Sequence, residues 1–249
     1  MADSDRSADS GILVVFDFDK TIIDGDSDRW VVEKFGLIDL FHRLLHTMPW
    51  NALMNRMMAE LHSQGMSKEK IADCLKKMPL DSHFITAVKS VYSLGCDLRI
   101  VSDANMFFIE TILEHHGLIR YFSEINTNSC HVDEDGKLRI SPYHDFHSSS
   151  HDCSLCPPHM CKGVIIERIQ MEASEQGKTT RFIYLGDGSG DYCPSLKLSK
   201  TDYVMPREDY PLCQLISNNP LAVKAEVHKW MDAKDQMSVL LKLIKKHRI

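Results

Sequence analysis

The chain has 249 residues, 43% of them hydrophobic, and a formal net charge of -6 at pH 7. That length buries one substantial core with a smaller companion, so one to two domains are expected. The negative balance argues against phosphate backbones and anionic membrane surfaces as partners, and no apolar run approaches the ~20 residues of a bilayer span.

Residues 1–10 are small and polar without periodicity and are read as a disordered tail. Their opening Met1-Ala2-Asp3-Ser4-Asp5-Arg6 lacks the basic and apolar regions of a secretory signal, which sets the expectation of a cytoplasmic protein. Residues 11–16 form a continuous Val- and Ile-rich run, the pattern of a strand covered on both faces. From Arg29 to Met78 no strand pattern occurs, and amphipathic helices are broken at Pro49, Gly65 and Pro79. Ser67-Lys68-Glu69-Lys70 reads as one helix start. Residues 24–79 are therefore expected to form a helical cap inserted after the first strand, with Met54, Met57, Met58, Met66 and Met78 in its core.

Residues 98–101, 182–185 and, more weakly, 203–205 repeat the strand pattern. Helices are read at 106–116, closed by Gly117, at 163–175, closed by Gly177, and at 223–249, whose Lys245-Lys246-His247-Arg248 reads as a solvated terminus. Alternating strands and helices predict an α/β fold, a Rossmann-like parallel-sheet core of residues 11–23 and 80–249. In such a sheet, chemistry gathers at the carboxyl ends of the strands.

Three strands do end in small and acidic residues. Asp17 and Asp19 flank Phe18 after the first strand, so alternation points both carboxylates the same way. One carboxylate at that spacing can attack phosphorus while its neighbour protonates the leaving oxygen, and Thr21 adds a hydroxyl and an amide. On its own the segment fits a capping turn as well. The second strand ends in Ser102-Asp103-Ala104-Asn105, and the third in Gly186-Asp187-Gly188-Ser189-Gly190-Asp191, whose glycines are spaced wrongly for a dinucleotide fingerprint. Acids there suit a hard cation, for which Asp17, the Asp19 main-chain carbonyl and Asp187 form a protein-side ligand set for Mg²⁺. Lys162, at the start of the intervening helix, would offset the charge of Asp17 and a phosphate; its alternative is a surface lysine.

Taken in order, Asp17-x-Asp19-x-Thr21, Ser102, Lys162 and Asp187 with Asp191 resemble the haloacid dehalogenase-like phosphatases over most of the chain. The resemblance implies a Rossmann-like core, Mg²⁺, Asp17 as nucleophile, Asp19 as acid and base, Ser102 and Lys162 on the phosphoryl group, and Asp187 on the metal. Asp191 would orient Lys162 or bind metal-linked water. The surrounding strings, 16–24, 101–105, 156–163 and 186–194, look like the phosphoethanolamine/phosphocholine phosphatase group with its plant phosphate-starvation-induced members. That likeness implies a small phosphate ester as partner, with Asp28 and Asp103 gripping its cationic head.

A carboxylate about 4 Å from an ammonium gains up to ~4 kcal/mol at an effective dielectric of about 20, before desolvation. Trp30 and Tyr192 are candidate aromatic walls for that head, or packing residues, and Asp28 is alternatively a helix N-cap. The plant members include pyrophosphatases, which makes pyrophosphate the competing substrate, with pyridoxal phosphate a third. A non-catalytic binding module on the same fold is the alternative of another class.

Between the second strand and Lys162 lies a cluster of Cys153, Cys156 and Cys161, with His144 and His147 nearby. These are ligand types for a tetrahedral zinc whose fourth ligand comes from outside the cluster; the alternative is a loop of small buried thiols that steers Lys162.

Overall fold

A computed structural model of the protein describes residues 9–145, 151–176 and 180–247. Most of the predicted tail, together with His147, Gly177 and Arg248, lies outside the described residues. Ser10 already belongs to the sheet's surroundings, since its amide donates to the Gly95 carbonyl at 3.1 Å.

The elements run β1 (Ile12–Phe16), α1 (Ser27–Lys34), α2 (Ile38–Leu44), α3 (Trp50–Ser63), α4 (Lys68–Leu75), α5 (Ser82–Ser93), β2 (Asp97–Asn105), α6 (Met106–His115), β3 (Glu124–Val132) and β4 (Leu138–Ser141). They continue with α7 (Lys162–Glu175), β5 (Arg181–Gly186), α8 (Tyr192–Ser195), β6 (Tyr203–Pro206), α9 (Pro211–Asn218), β7 (Glu226–Val227) and α10 (Ala233–Lys246). Among the described residues seven strands form one sheet in the order β4-β3-β2-β1-β5-β6-β7, parallel throughout except for the antiparallel β3–β4 pair.

Alternation along β1 explains the three layers. Ile12, Val14 and Phe16 point into a buried cluster with Phe84 and Val88 of α5, Ile109 of α6 and Leu240 of α10. Leu13 and Val15 point the other way, to Ile165 and Ile169 of α7 and Leu212 of α9. A strand buried on both faces needs the unbroken apolar run that residues 12–16 supply. Because Phe16 pairs with both Ile100 and Leu185, the acidic segments after β1, β2 and β5 emerge side by side.

No strand interrupts the stretch from α1 to α4, and Met54, Met57, Met58 and Met78 are buried there as expected. Ser67 caps α4 through the Lys70 amide at 3.4 Å. The insert is tied to the sheet by α3, where Asn55 accepts from the Ile140 amide at 2.9 Å and donates to its carbonyl at 2.6 Å. One amide side chain thus satisfies the exposed edge of β4 as a neighbouring strand would.

One sequence expectation is corrected, and two strands appear that the sequence does not signal. The helix read over 223–249 begins only at Ala233, because Glu226 and Val227 pair with β6 instead. The polar β3 and the short β4 carry no apolar run and so give no signal, yet β3 holds the end of β2. Asn128 of β3 donates to the Asp103 and Ala104 carbonyls at 2.7 and 2.8 Å.

Candidate active site

Three strand ends and one helix start converge on a single buried ion cluster. Lys162, the first residue of α7, is buried rather than on the surface, with Nζ 3.0 Å from Asp17 Oδ1, 2.8 Å from Asp191 Oδ1 and 3.8 Å from Asp103 Oδ1. Burial pulls its pKa down, but Asp17, Asp191, Tyr184 and Asp103 outweigh that and leave it well above the ordinary lysine value, so it stays charged. Asp191 is saturated: Oδ1 also accepts from the Tyr184 hydroxyl at 2.6 Å, and Oδ2 accepts from the Asp187 and Gly188 amides at 3.0 and 2.9 Å. Gly186 is required for this arrangement, since a Cβ there would sit 2.5 Å from the Asp191 carboxylate.

Asp17 keeps one oxygen on Lys162 and on the Phe18 amide at 2.7 Å. Burial, then Asp191, raise its pKa well above the carboxylate range while Lys162 opposes them. Asp19 is fixed by the start of α1, accepting from the Ser27 amide at 2.8 Å and its hydroxyl at 3.3 Å. Burial first, then Asp26 and Asp28, hold Asp19 well above the usual value, which favours the protonated acid.

A cavity of about 210 Å³ opens between these strand ends and the inserted helices. Asp28 borders it, almost wholly buried, accepting from the Trp50 indole at 2.9 Å and the Asn105 amide at 3.4 Å. The N-cap of α1 is Asp26, whose carboxylate accepts from the Arg29 amide at 3.0 Å, so Asp28 is free of the capping role weighed for it. Asp103 also lines the cavity with a half-exposed side chain.

The aromatic wall is Trp50 of α3, not Trp30 or Tyr192. Trp30 lies in a different cavity of about 580 Å³ among Lys34, Lys70 and Lys77, its indole donating to the Cys74 carbonyl. Tyr192 packs against the cluster on the α7 side of the sheet. Both therefore take the packing role weighed for them, and Trp30, two positions from Asp28 on α1, faces away from it. Thr21 is buried with its hydroxyl 3.5 Å from Asp187 Oδ1, and Ser102 is buried with its hydroxyl accepting from the Ala104 amide at 3.3 Å. Neither lines this cavity, and Thr21 borders a separate one with Asp24, Arg207 and Trp230.

The donor set fits a hard divalent cation. Carboxylate oxygens of Asp17, Asp187 and Asp191 lie within 4.8 Å of one another. Seven aspartates line the cavity against Lys20 and Lys162. Burial and Asp191 push the pKa of Asp187 up to about 7, the signature of carboxylates short of positive charge. With Asp191 saturated, Asp17 and Asp187 are the carboxylates with oxygens to give.

The cysteine cluster gains a member the sequence reading missed. Cys193 of α8 brings its sulfur within 4.8 Å of those of Cys153, Cys156 and Cys161. His144 is buried but is not one of this group, its ring stacking edge-on against His151.

Residues 12–244 match a family model described as Putative Phosphatase. The chain is 58% identical to inorganic pyrophosphatase 2 of Arabidopsis thaliana, over 94% of this chain and 84% of that protein. It is 56% identical to a thiamine phosphate phosphatase-like protein of the same plant, over 94% and 95%. Among solved structures it resembles a phospho-aspartyl intermediate analogue of phosphoserine phosphatase, with a TM-score of 0.62 at 17% identity, covering 92% of this chain and 97% of that one.

Proposed function

The chain belongs to the putative phosphatase family and is a haloacid dehalogenase-like phosphatase, and from that premise we propose that it hydrolyses compact phosphomonoesters with a cationic head, phosphoethanolamine and phosphocholine first. The observation that carries the substrate is Asp28, a buried carboxylate on the cavity wall held by Trp50 and Asn105. Burial and then Asp26 raise its pKa well above the usual range, so an uncompensated anion there is costly. A cationic head supplies the missing counter-charge, and the Trp50 ring beside it suits a methylated ammonium. The cavity is smaller than the roughly 300–1,000 Å³ of drug-sized pockets, which favours these two esters over pyridoxal phosphate.

In this reading a carboxylate oxygen of Asp17 attacks phosphorus, the ester P–O bond breaks, and Asp19 gives its proton to the leaving alkoxide. Water then attacks the aspartyl phosphate, passing a proton to Asp19, and the bond to Asp17 breaks to release inorganic phosphate. Lys162 neutralises the transferring phosphoryl group and holds Asp17 in line, while Asp191 and Tyr184 hold Lys162. Asp17, Asp187 and the Asp19 main-chain carbonyl would hold Mg²⁺, which when bound supplies Lewis-acid stabilisation of phosphoryl charge. The helices α1 to α4 act as the cap, contributing Asp28 and Trp50 to the head-group side.

Pyrophosphate is the second reading, favoured by the name of the 58% identical relative. A kinetic panel of phosphoethanolamine, phosphocholine, thiamine phosphate, pyridoxal phosphate and pyrophosphate decides between them. Asp28→Asn is expected to lower kcat/KM on the cationic esters by roughly tenfold, the cost of one charge-assisted contact, and to spare pyrophosphate. A higher kcat/KM for pyrophosphate than for every cationic ester would overturn the substrate assignment.

A further inference from the structure

Cys153, Cys156, Cys161 and Cys193 come from separate places in the chain: a loop before α7, the residue that precedes Lys162, and α8 just after Asp191. All are free cysteines. Cys193 Sγ lies 3.6 Å from Cys153 Sγ and 3.8 Å from Cys161 Sγ. A disulfide needs about 2.05 Å, so none of these contacts is a bridge. A tetrahedral zinc with Zn–S bonds of about 2.3 Å sets its sulfurs ~3.8 Å apart. Two thiols in van der Waals contact lie at a similar separation, so the weight falls on all four sulfurs converging at once.

Two further observations point the same way. Cys161 is the N-cap residue of α7, and against the burial that disfavours its thiolate its sulfur faces the Val164 amide in the first turn, a contact that favours it. A Cβ on Gly163 would stand 2.5 Å from Cys193 Sγ, so the helix start and that sulfur are packed as closely as a glycine permits. The sulfur-only set is closed and lacks the open position of a catalytic zinc.

We propose that these four cysteines hold a structural zinc ion as thiolates, clamping the start of α7 to the loop that follows β5. Each thiol gives its proton to solvent on binding, leaving a ZnS₄ group of net charge -2. The positive end of α7 and Lys197, near Cys193, offset that charge. The clamp grips the two segments that carry Lys162 and Asp191, one residue from the first and two from the second. Zinc binding goes beyond the phosphatase reading and does not depend on its substrate.

The test uses the full chain, expressed with zinc and purified without chelator in excess Mg²⁺, which displaces zinc held only by carboxylates. Elemental analysis is expected to give about one zinc per chain, and replacement by Co²⁺ to give the intense thiolate-to-metal charge-transfer bands of a tetrahedral S₄ site. Cys156→Ser, at a half-buried position that tolerates an oxygen, is expected to lower zinc affinity by at least roughly tenfold. Cys213→Ser, in α9 and outside the cluster, is expected to retain the metal. Zinc below about a tenth of an equivalent with every thiol titratable overturns the proposal, as does a disulfide among the four or zinc unaffected by Cys156→Ser. Because metal content is read without turnover, either result leaves the phosphatase assignment to be judged separately.

Discussion

The acidic cavity and the thiol cluster hang on the same two segments, yet they solve opposite problems. In the cavity, like charges are forced together: Asp17, Asp187 and Asp191 repel, and among the described residues Lys162 is the buried cation that lies between them. In the thiol cluster, hydrogen bonds from Cys156, Cys153 and Cys161 pull the pKa of the Cys193 thiol down to about 5, so three thiols gather round one thiolate and proximity there costs little until a metal draws off the remaining protons. The boundary between them is one peptide bond at Cys161–Lys162 and two residues from Asp191 to Cys193. Storing charge is the work of one region and holding shape the work of the other, so perturbing each should separate chemistry from architecture.

The largest effect should come from Asp17→Asn, which keeps the cavity's shape and removes the nucleophile. Phosphate release is expected to fall roughly 10³-fold or more, with the melting temperature held or raised because a costly buried anion is gone. Full activity in that variant would remove Asp17 from the reaction. A smaller effect is expected from pH. The raised pKa of Asp187 means its protonated form stabilises the metal-free fold below ~4, and that contribution is lost as pH rises towards about 7. The cation competes with that proton, so Mg²⁺ should bind about tenfold more weakly near pH 6 than near pH 8. Calorimetry in buffers of different ionisation enthalpy reads the proton released, and a pH-independent affinity would contradict the shift. The smallest is Trp50→Phe, which keeps a ring but deletes the donor to Asp28. A rise in KM of roughly threefold to tenfold on phosphocholine is expected at unchanged kcat, and a fall in kcat instead would put Trp50 in the chemistry.

Legibility followed the same division. The strand-end carboxylates could be read because β1, β2 and β5 are apolar runs with an abrupt polar end, and parallel pairing forces such ends together. The helical insert could be located by its period and breakers, but not aimed. Trp50 gives no sign of its role in the sequence, because Asp28 sits on α1 and its indole partner comes from α3, across a loop and a whole helix. Cys193 falls inside the 186–194 string, but nothing in the sequence ties it to Cys161, which lies 32 positions away across a helix and a strand. A cysteine inside a loop otherwise built of glycines and aspartates was the available signal. β3 was lost because its buried residues are Asn126, Thr127 and Asn128, used for hydrogen bonding rather than for apolar burial.

Asn105 closes β2 and opens α6, and its side chain can lie only one way round. Its oxygen accepts from the Phe108 amide at 3.1 Å and from the Cys130 thiol at 3.2 Å, which leaves the nitrogen end to face Asp28. An aspartate would serve equally well as the helix cap, so nothing about folding demands the amide. What the amide provides is polarity of direction: it turns a donor towards a buried carboxylate where an acid would turn a second negative charge. The identity of this one side chain therefore works as a setting for the electrical sign of the head-group end, adjustable without touching the sheet, the helix or the residues that meet phosphorus.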